Sequence, residues 1–363
     1  MSYLPHSIHG RRVRRTEGDL VSESMRVTLP TGEVVEYEIP NPPPVDWAVP
    51  DSPALVELVR RIVTQVHDVA EWLGSPVPSD PVERATWDTA LANRIHALLV
   101  DARPPQHGEI PEMKDVWFGD VARSAAMTPA GLLKLVVASG RFHPQLPVSE
   151  EFTIQHHMTG RPSLLELAVL LDDCGLDGTG AVFEAYTSWW SLGEHWADDA
   201  VWPFFARNLD RLLAFQARRA TFREDHMAFY RALRTFPALP DVVVDTLYEL
   251  ALGTRKKDRE AAQKLLRQHH DRTRRASIAL TDRKRDVRIV AADWLSRIKD
   301  PAAVPALEHA LARERNEAAK AAILGALLGL GRRVEGVLTP DELNRAAAKA
   351  SRKALPKALV WFP

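Results

Sequence analysis

The sequence predicts an all-α fold: an α-solenoid of helical repeats, preceded by an irregular helical region and a small N-terminal β-hairpin or extended segment. Three observations carry that expectation. Helical apolar periodicity runs almost without relief from Ser52 onward. Alternating strand patterns are confined to about the first forty residues. The last third repeats itself at a spacing near thirty residues, the period of stacked helix pairs.

In order along the chain, residues 25–40, "MRVTLPTGEVVEYEIP", read as two short strands around a Pro-Thr-Gly turn. Val27 and Leu29 alternate with polar neighbours, as do Val35, Tyr37 and Ile39. An isolated hairpin is marginal in water, so this one is expected to pack on something. "NPPPVDWAVP" (41–50) is a stiff proline linker. Residues 52–74 open on a Ser-Pro cap signal, place Leu55, Val59, Ile62, Val66 and Val69 on one stripe, and close at Gly74. A second long helix is expected over 81–102, then shorter ones at 117–126, 128–139, 163–173, 180–190, 199–218 and 224–235. The expected divisions are 1–50, an irregular helical array over 51–239, repeats over 240–335, and a C-terminal helix and tail over 336–363.

The repeats align on their second helices. Shifting 286–298 forward by 32 residues sets Val287, Arg288, Ala291, Leu295 and Ile298 on Ala319, Lys320, Ile323, Leu327 and Leu330. Shifting it back by 29 sets Arg288, Ala291 and Leu295 on Arg259, Ala262 and Leu266. First helices match more loosely, at 240–252, 272–281 and 301–312.

"DVRIVAADWLSRIKDPAAVPALEHAL" resembles the short HEAT repeat of the phycobilisome-lyase-like type. The resemblance rests on Asp286, Arg288, Ala291, Leu295, Asp300, Pro301, Pro305 and Leu307, and covers about residues 255–332. It implies that second helices line the concave face, and that Arg288 bonds carboxylates and carbonyls between units. A weaker resemblance links "LTPDELNRAAAKASRKALPKALVWFP" to large bacterial helical-repeat proteins of the molybdate-regulator-like (MolR) kind. It implies a truncated relative, an accessory subunit of a larger enzyme, or a tail that docks on a partner.

Composition is that of an ordinary soluble protein, with 45% hydrophobic and 26% charged residues. No apolar run reaches a membrane span, and "MSYLPHSIHGRRVRR" lacks the apolar core of a secretory signal, so a cytoplasmic location is the default expectation. The net charge of −1 conceals an asymmetry: residues 1–254 hold 22 Lys+Arg against 35 Asp+Glu, and residues 255–363 hold 25 against 13. The basic end seeks an anion, whether a nucleic acid, an acidic protein partner, or the acidic part of the same chain.

The candidate contacts follow. Arg259, Arg288 and Lys320 form a ladder on equivalent helices. Arg272, Arg274, Arg275, Arg283, Lys284 and Arg285 add charge near the turns, and a phosphate-tracking groove is one reading of the set. Trp189, Trp190 and Trp196 form an aromatic patch suited to a partner. Trp294 sits on the apolar stripe, which favours a core role over base stacking beside Asp293.

No phosphate-cradling glycine loop, nucleophile elbow or HExxH frame is present. Glu194, His195, Asp198 and Asp199 lack metal-ligand spacing, and the pairs His156/His157 and His269/His270 are not chelates if helical. Cys174, the single cysteine, follows two acids that raise its pKa. No catalytic residue, metal or cofactor is expected. The leading reading is a non-catalytic scaffold or adaptor for a protein partner, bound through a concave, basic C-terminal surface. The alternative is a regulatory nucleic-acid binder using residues 255–299.

Overall fold

The structure, a computed structural model, describes residues 23–42, 44–73, 77–140, 162–188, 196–218 and 225–332. The chain divides into two compact units: residues 1–25 with 36–235, and residues 26–35 with 236–363. Among the described residues the fold is all-α apart from one two-stranded sheet.

That sheet is the expected hairpin, β1 (Ser24–Thr28) and β2 (Val34–Glu38). Met25 and Val27 are buried while their neighbours are not, as a period of two requires. The turn closes through the Gly32 N–H, which donates to the Leu29 carbonyl at 2.8 Å, with Gly32 at φ 86°. That left-handed conformation is one that glycine adopts without steric cost.

The first unit contains nine described helices: α1 (Pro53–Leu73), α2 (Pro81–Val100), α3 (Gly119–Ala122), α4 (Pro129–Ala138), α5 (Leu164–Asp173), α6 (Gly178–Thr187), α7 (Asp198–Arg207), α8 (Leu209–Ala217) and α9 (Ala228–Arg234). The long α1 buries Leu55, Leu58, Val59, Ile62, Val63 and Val66, and it packs on α2, which buries Leu91, Ile95, Leu98 and Leu99. Local sequence sets several starts. Asp80 accepts from the N–H groups of Val82 and Glu83 to open α2, and Ser163 and Glu166 form a reciprocal capping box at α5.

The single helix expected over 199–218 is two, broken at Asn208. There φ is −124°, and the side-chain amide donates to the Phe204 carbonyl at 2.8 Å, a local bond that competes with the helical one. The helix expected at 117–126 contracts to α3. An aromatic cluster of Phe183, Tyr186, Phe205 and Phe215 fills the interior, with Tyr186 and Phe205 centroids 4.6 Å apart.

Among the described residues one charge is fully interior. Lys134 on α4 has no exposed surface, and its ammonium donates to the Leu98 carbonyl at 2.8 Å and also to the Asp101 carbonyl. These are carbonyls at the C-terminal end of α2, where a helix leaves acceptors without partners. Burial pushes the Lys134 pKa below its ordinary value.

The second unit is the repeat array, three consecutive helix pairs: α10 (Asp241–Ala251) with α11 (Lys256–Leu265), α12 (Arg272–Ala279) with α13 (Arg285–Ile298), and α14 (Val304–Arg313) with α15 (Glu317–Gly329). First helix α12 packs on α14, and second helix α13 packs on α15. The sequence register holds: Ala262, Ala291 and Ile323 are each wholly buried, and Leu266, Leu295 and Leu327 are at most 2% exposed. Trp294 is in the core as well, at 4% exposure.

α13 ends at Lys299, the one described non-glycine residue with positive φ, at 57°. A side chain in that region carries a steric cost that glycine avoids. Lys299→Gly is expected to stabilise the repeats by about 0.5–1 kcal/mol, read as a higher urea midpoint at unchanged slope. A lower midpoint would show that the Lys299 side chain stabilises the turn.

Candidate functional site

One face of the second unit bears a groove of about 530 Å³ that runs across all three second helices. α11 contributes Arg259 and Glu260, α13 contributes Asp293, Ser296 and Arg297, and α15 contributes Ala321, Ala322, Gly325 and Ala326. The period makes this possible, because repeat stacking brings equivalent helical faces side by side. A Cβ built at Gly325 would meet nothing within 4 Å, so the space above this backbone is open. The named rim charges are balanced, two arginines against two carboxylates. The groove is therefore mixed in charge.

The cation ladder occupies two different settings. The Arg259 guanidinium donates to the carbonyls of Gly253 and Thr254, six and five residues before it. Arg288 repeats this with Asp282 and Arg283, again six and five residues back. Arg288 also forms a fork with Glu314 of the next repeat, Nε to Oε2 at 2.6 Å and Nη2 to Oε1 at 3.0 Å. These hydrogen bonds hold the Glu314 carboxyl down to about 2. Arg288 thus joins one repeat to the next. Lys320, half-buried at the third equivalent position, lacks the planar fork that reaches two carbonyls at once.

The six turn cations do not form one patch. Arg272, Arg274 and Arg275 open α12, whereas Arg283, Lys284 and Arg285 follow its far end, roughly 12 Å away at 1.5 Å per residue. Arg274 pairs with Asp271, and Arg275 bonds Asp245 at 2.8 Å and Asp271 at 3.3 Å. Arg275 also lies over the Tyr248 ring, 5.0 Å from its centroid. Arg283 and Lys284 are exposed, and Arg285 pairs with the adjacent Asp286.

Trp189 and Trp190 lie outside the described residues. Trp196 is 7% exposed, and its indole N–H donates to the Pro162 carbonyl at 3.0 Å, which commits it to the interior of the first unit. His156/His157 and Glu194/His195 also lie outside the described residues.

His269 and His270 follow a short 3-10 turn and are not in an α-helix, and their rings lie 4.5 Å apart. The Tyr248 hydroxyl at 2.9 Å and the Asp271 N–H at 3.2 Å both donate to His269 Nδ1. That arrangement puts the ring proton on Nε2. Burial, then the neighbouring His270, lowers the His269 pKa. Burial more than Asp173 pushes the Cys174 thiol up to about 12. Among the described residues no cluster of three or more His, Cys, Asp or Glu is placed to hold a metal, and no helix is long and apolar enough to cross a membrane.

A model of the PBS lyase HEAT-like repeat family matches residues 287–313. The match begins on α13 and ends at the last residue of α14, across the Asp300-Pro301 turn that joins two pairs. The chain carries HEAT-like repeats. Thr273 on α12 reinforces that joint by donating to Asp300 at 2.6 Å, which lowers the Asp300 pKa. No curated protein and no solved structure matches the chain. The MolR-like resemblance has no support from these comparisons, and its residues 338–363 lie outside the described ones.

Of the nine residues that line the groove, sequence reasoning finds Arg259 alone. Ser296 and Arg297 lie between Leu295 and Ile298 of the apolar stripe, so nothing in the repeat pattern singles them out. Their spacing from Asp293, three and four residues along one helix, is the signal that could have found them.

Proposed function

We propose that the chain is a helical-repeat scaffold without chemistry of its own, which holds a protein partner in the groove over α11, α13 and α15. The groove carries this reading. Ala321, Ala322 and Gly325 form a floor without long side chains, where a partner backbone can approach closely. Arg259 and Arg297 together with Glu260 and Asp293 give the rim both signs of charge, which orients a partner more than it tightens it. HEAT-like repeats offer such a face without an enclosed cavity, which favours macromolecular partners over small substrates.

Site-specific photo-crosslinking in cells tests it. A photoreactive residue at Ala322 is expected to trap one discrete protein adduct. The same probe at Val82, 74% exposed on α2, is expected to trap none. Gly325→Trp, which fills the open floor, is expected to abolish the adduct with little change in melting temperature. An adduct pattern shared by both probes, or one indifferent to Gly325→Trp, would defeat the proposal.

A further inference from the structure

The connections inside each helix pair all fall at one end of the stack. Arg288 demonstrates this for two of them, since it reaches the 282–283 turn of its own pair and Glu314 in the turn of the next. Arg259 places the 253–254 turn in the same relation to α11. Cations recur at each of these turns: Arg255, Lys256 and Lys257, then Arg283, Lys284 and Arg285, then Arg313 and Arg315, with Asp282, Asp286, Glu314 and Glu317 among them. Stacked helices lie about 8–10 Å apart, so the three turns form a row roughly 20 Å long.

Arg255, Lys256 and Arg285 each have a carboxylate within 4.0 Å, and the other five cations of the row, Lys257, Arg283, Lys284, Arg313 and Arg315, have none among the described residues. Glu314 is taken by Arg288, and the Asp258 side chain is only 7% exposed. Of the three helices that start here, α11 and α13 have no side-chain cap, whereas Asn316 caps α15. At the opposite end of the pairs Arg274 and Arg275 are held by Asp271 and Asp245, and the exposed Lys264, Arg267 and Lys299 do not recur at equivalent repeat positions. Part of that end is also covered, because β1 bridges Pro240 through Val27 and Arg26 pairs with Asp241.

A protein interface needs a desolvated apolar or aromatic centre. Residues 252–257, 281–286 and 313–317 contain no aromatic side chain. A row of exposed cations at regular pitch matches instead a surface that is itself a row of anions. We propose that this end of the repeat stack contacts the phosphate backbone of double-stranded nucleic acid, without reading base sequence. At one charge per about 1.7 Å of duplex axis, a 20 Å row faces roughly twelve phosphates, of which it can engage those on the near side. This surface adjoins the groove at Arg259 and Glu260, but neither proposal depends on the other.

The test is fluorescence anisotropy of a labelled 20-base-pair DNA duplex titrated with the full chain at 50 and 200 mM NaCl. Binding is expected at 50 mM and is expected to weaken at least about 30-fold at 200 mM, as three or more phosphate contacts require. The triple variant Lys257→Gln, Arg283→Gln, Lys284→Gln is expected to lose at least about tenfold in affinity at 50 mM and to flatten the salt slope by up to three. The control Lys264→Gln, Arg267→Gln, Lys299→Gln removes three exposed charges at the other end of the pairs and is expected to stay within twofold. Circular dichroism melting confirms that both variants fold. No binding at 50 mM overturns the proposal. So does an equal loss in the control, or polyglutamate binding as tightly as the duplex, which would assign the row to an acidic protein.

Discussion

Glu314→Gln is expected to destabilise the repeat unit by about 3 kcal/mol at pH 7, the range for breaking one side of a buried charge pair. The Glu314 side chain is 5% exposed and that of Arg288 17%, so water does little to replace the lost carboxylate. The glutamine retains one acceptor for Arg288 but leaves a desolvated guanidinium without its counter-charge. The effect is pH-dependent in a definite direction. The Glu314 carboxyl falls from an ordinary 4.5 to about 2 on folding, so the unfolded state binds the proton more tightly. Its stabilisation is complete above pH 4.5 and is lost as pH falls through about 2. Urea denaturation at pH 7 and pH 3 checks this: the gap between wild type and Glu314→Gln should close by more than half at pH 3. A gap that does not change with pH would mean that shape, and not charge, makes the contact.

Lys134→Ala is expected to have the largest effect in the first unit, about 4 kcal/mol, from a lost buried side chain and carbonyls left without a donor. Lys134 is wholly buried, and it bonds the Leu98 and Asp101 carbonyls where α2 ends. Its replacement by alanine leaves both a cavity and unsatisfied acceptors. Lys134→Met, which keeps the volume and removes the desolvated charge, is expected to cost about half as much. Burial depresses the Lys134 pKa, so the unfolded state holds the extra proton between the lowered value and 10.5. Wild-type stability therefore gains from this group as pH rises through that window, and the Met variant should lack the gain. Thermal melts of both variants between pH 7 and 10 decide the matter, and a Met variant at least as stable as wild type throughout would show that the carbonyls find other partners.

Both residues illustrate how far the sequence could be read. The buried equivalence of Ala262, Ala291 and Ile323 follows from spacing alone, because stacked pairs must turn the same helical positions toward the core. The break at Asn208 did not follow from spacing, since apolar periodicity continues through it and the side-chain bond to Phe204 interrupts the helix. Lys134 stands in an apolar run, and the sequence does not show its acceptors. Its burial depends on where α2 ends, 33 residues earlier at Asp101.

The same division holds for charge. The sequence by itself determined that the C-terminal third is basic, that it is built from HEAT-like helix pairs, and that Arg259, Arg288 and Lys320 are equivalent. Only the tertiary structure decided which cations are spent. Arg288 and Glu314 are 26 residues apart, and Arg275 and Asp245 are 30, so both pairs form across successive helix pairs. It also decided that the run 272–285 presents two faces, because α12 carries its first three arginines to one end of the stack and leaves Arg283, Lys284 and Arg285 at the other. The physical reason is that helical periodicity fixes which side of a helix a residue occupies, whereas neutralisation depends on what the next repeat places within about 4 Å.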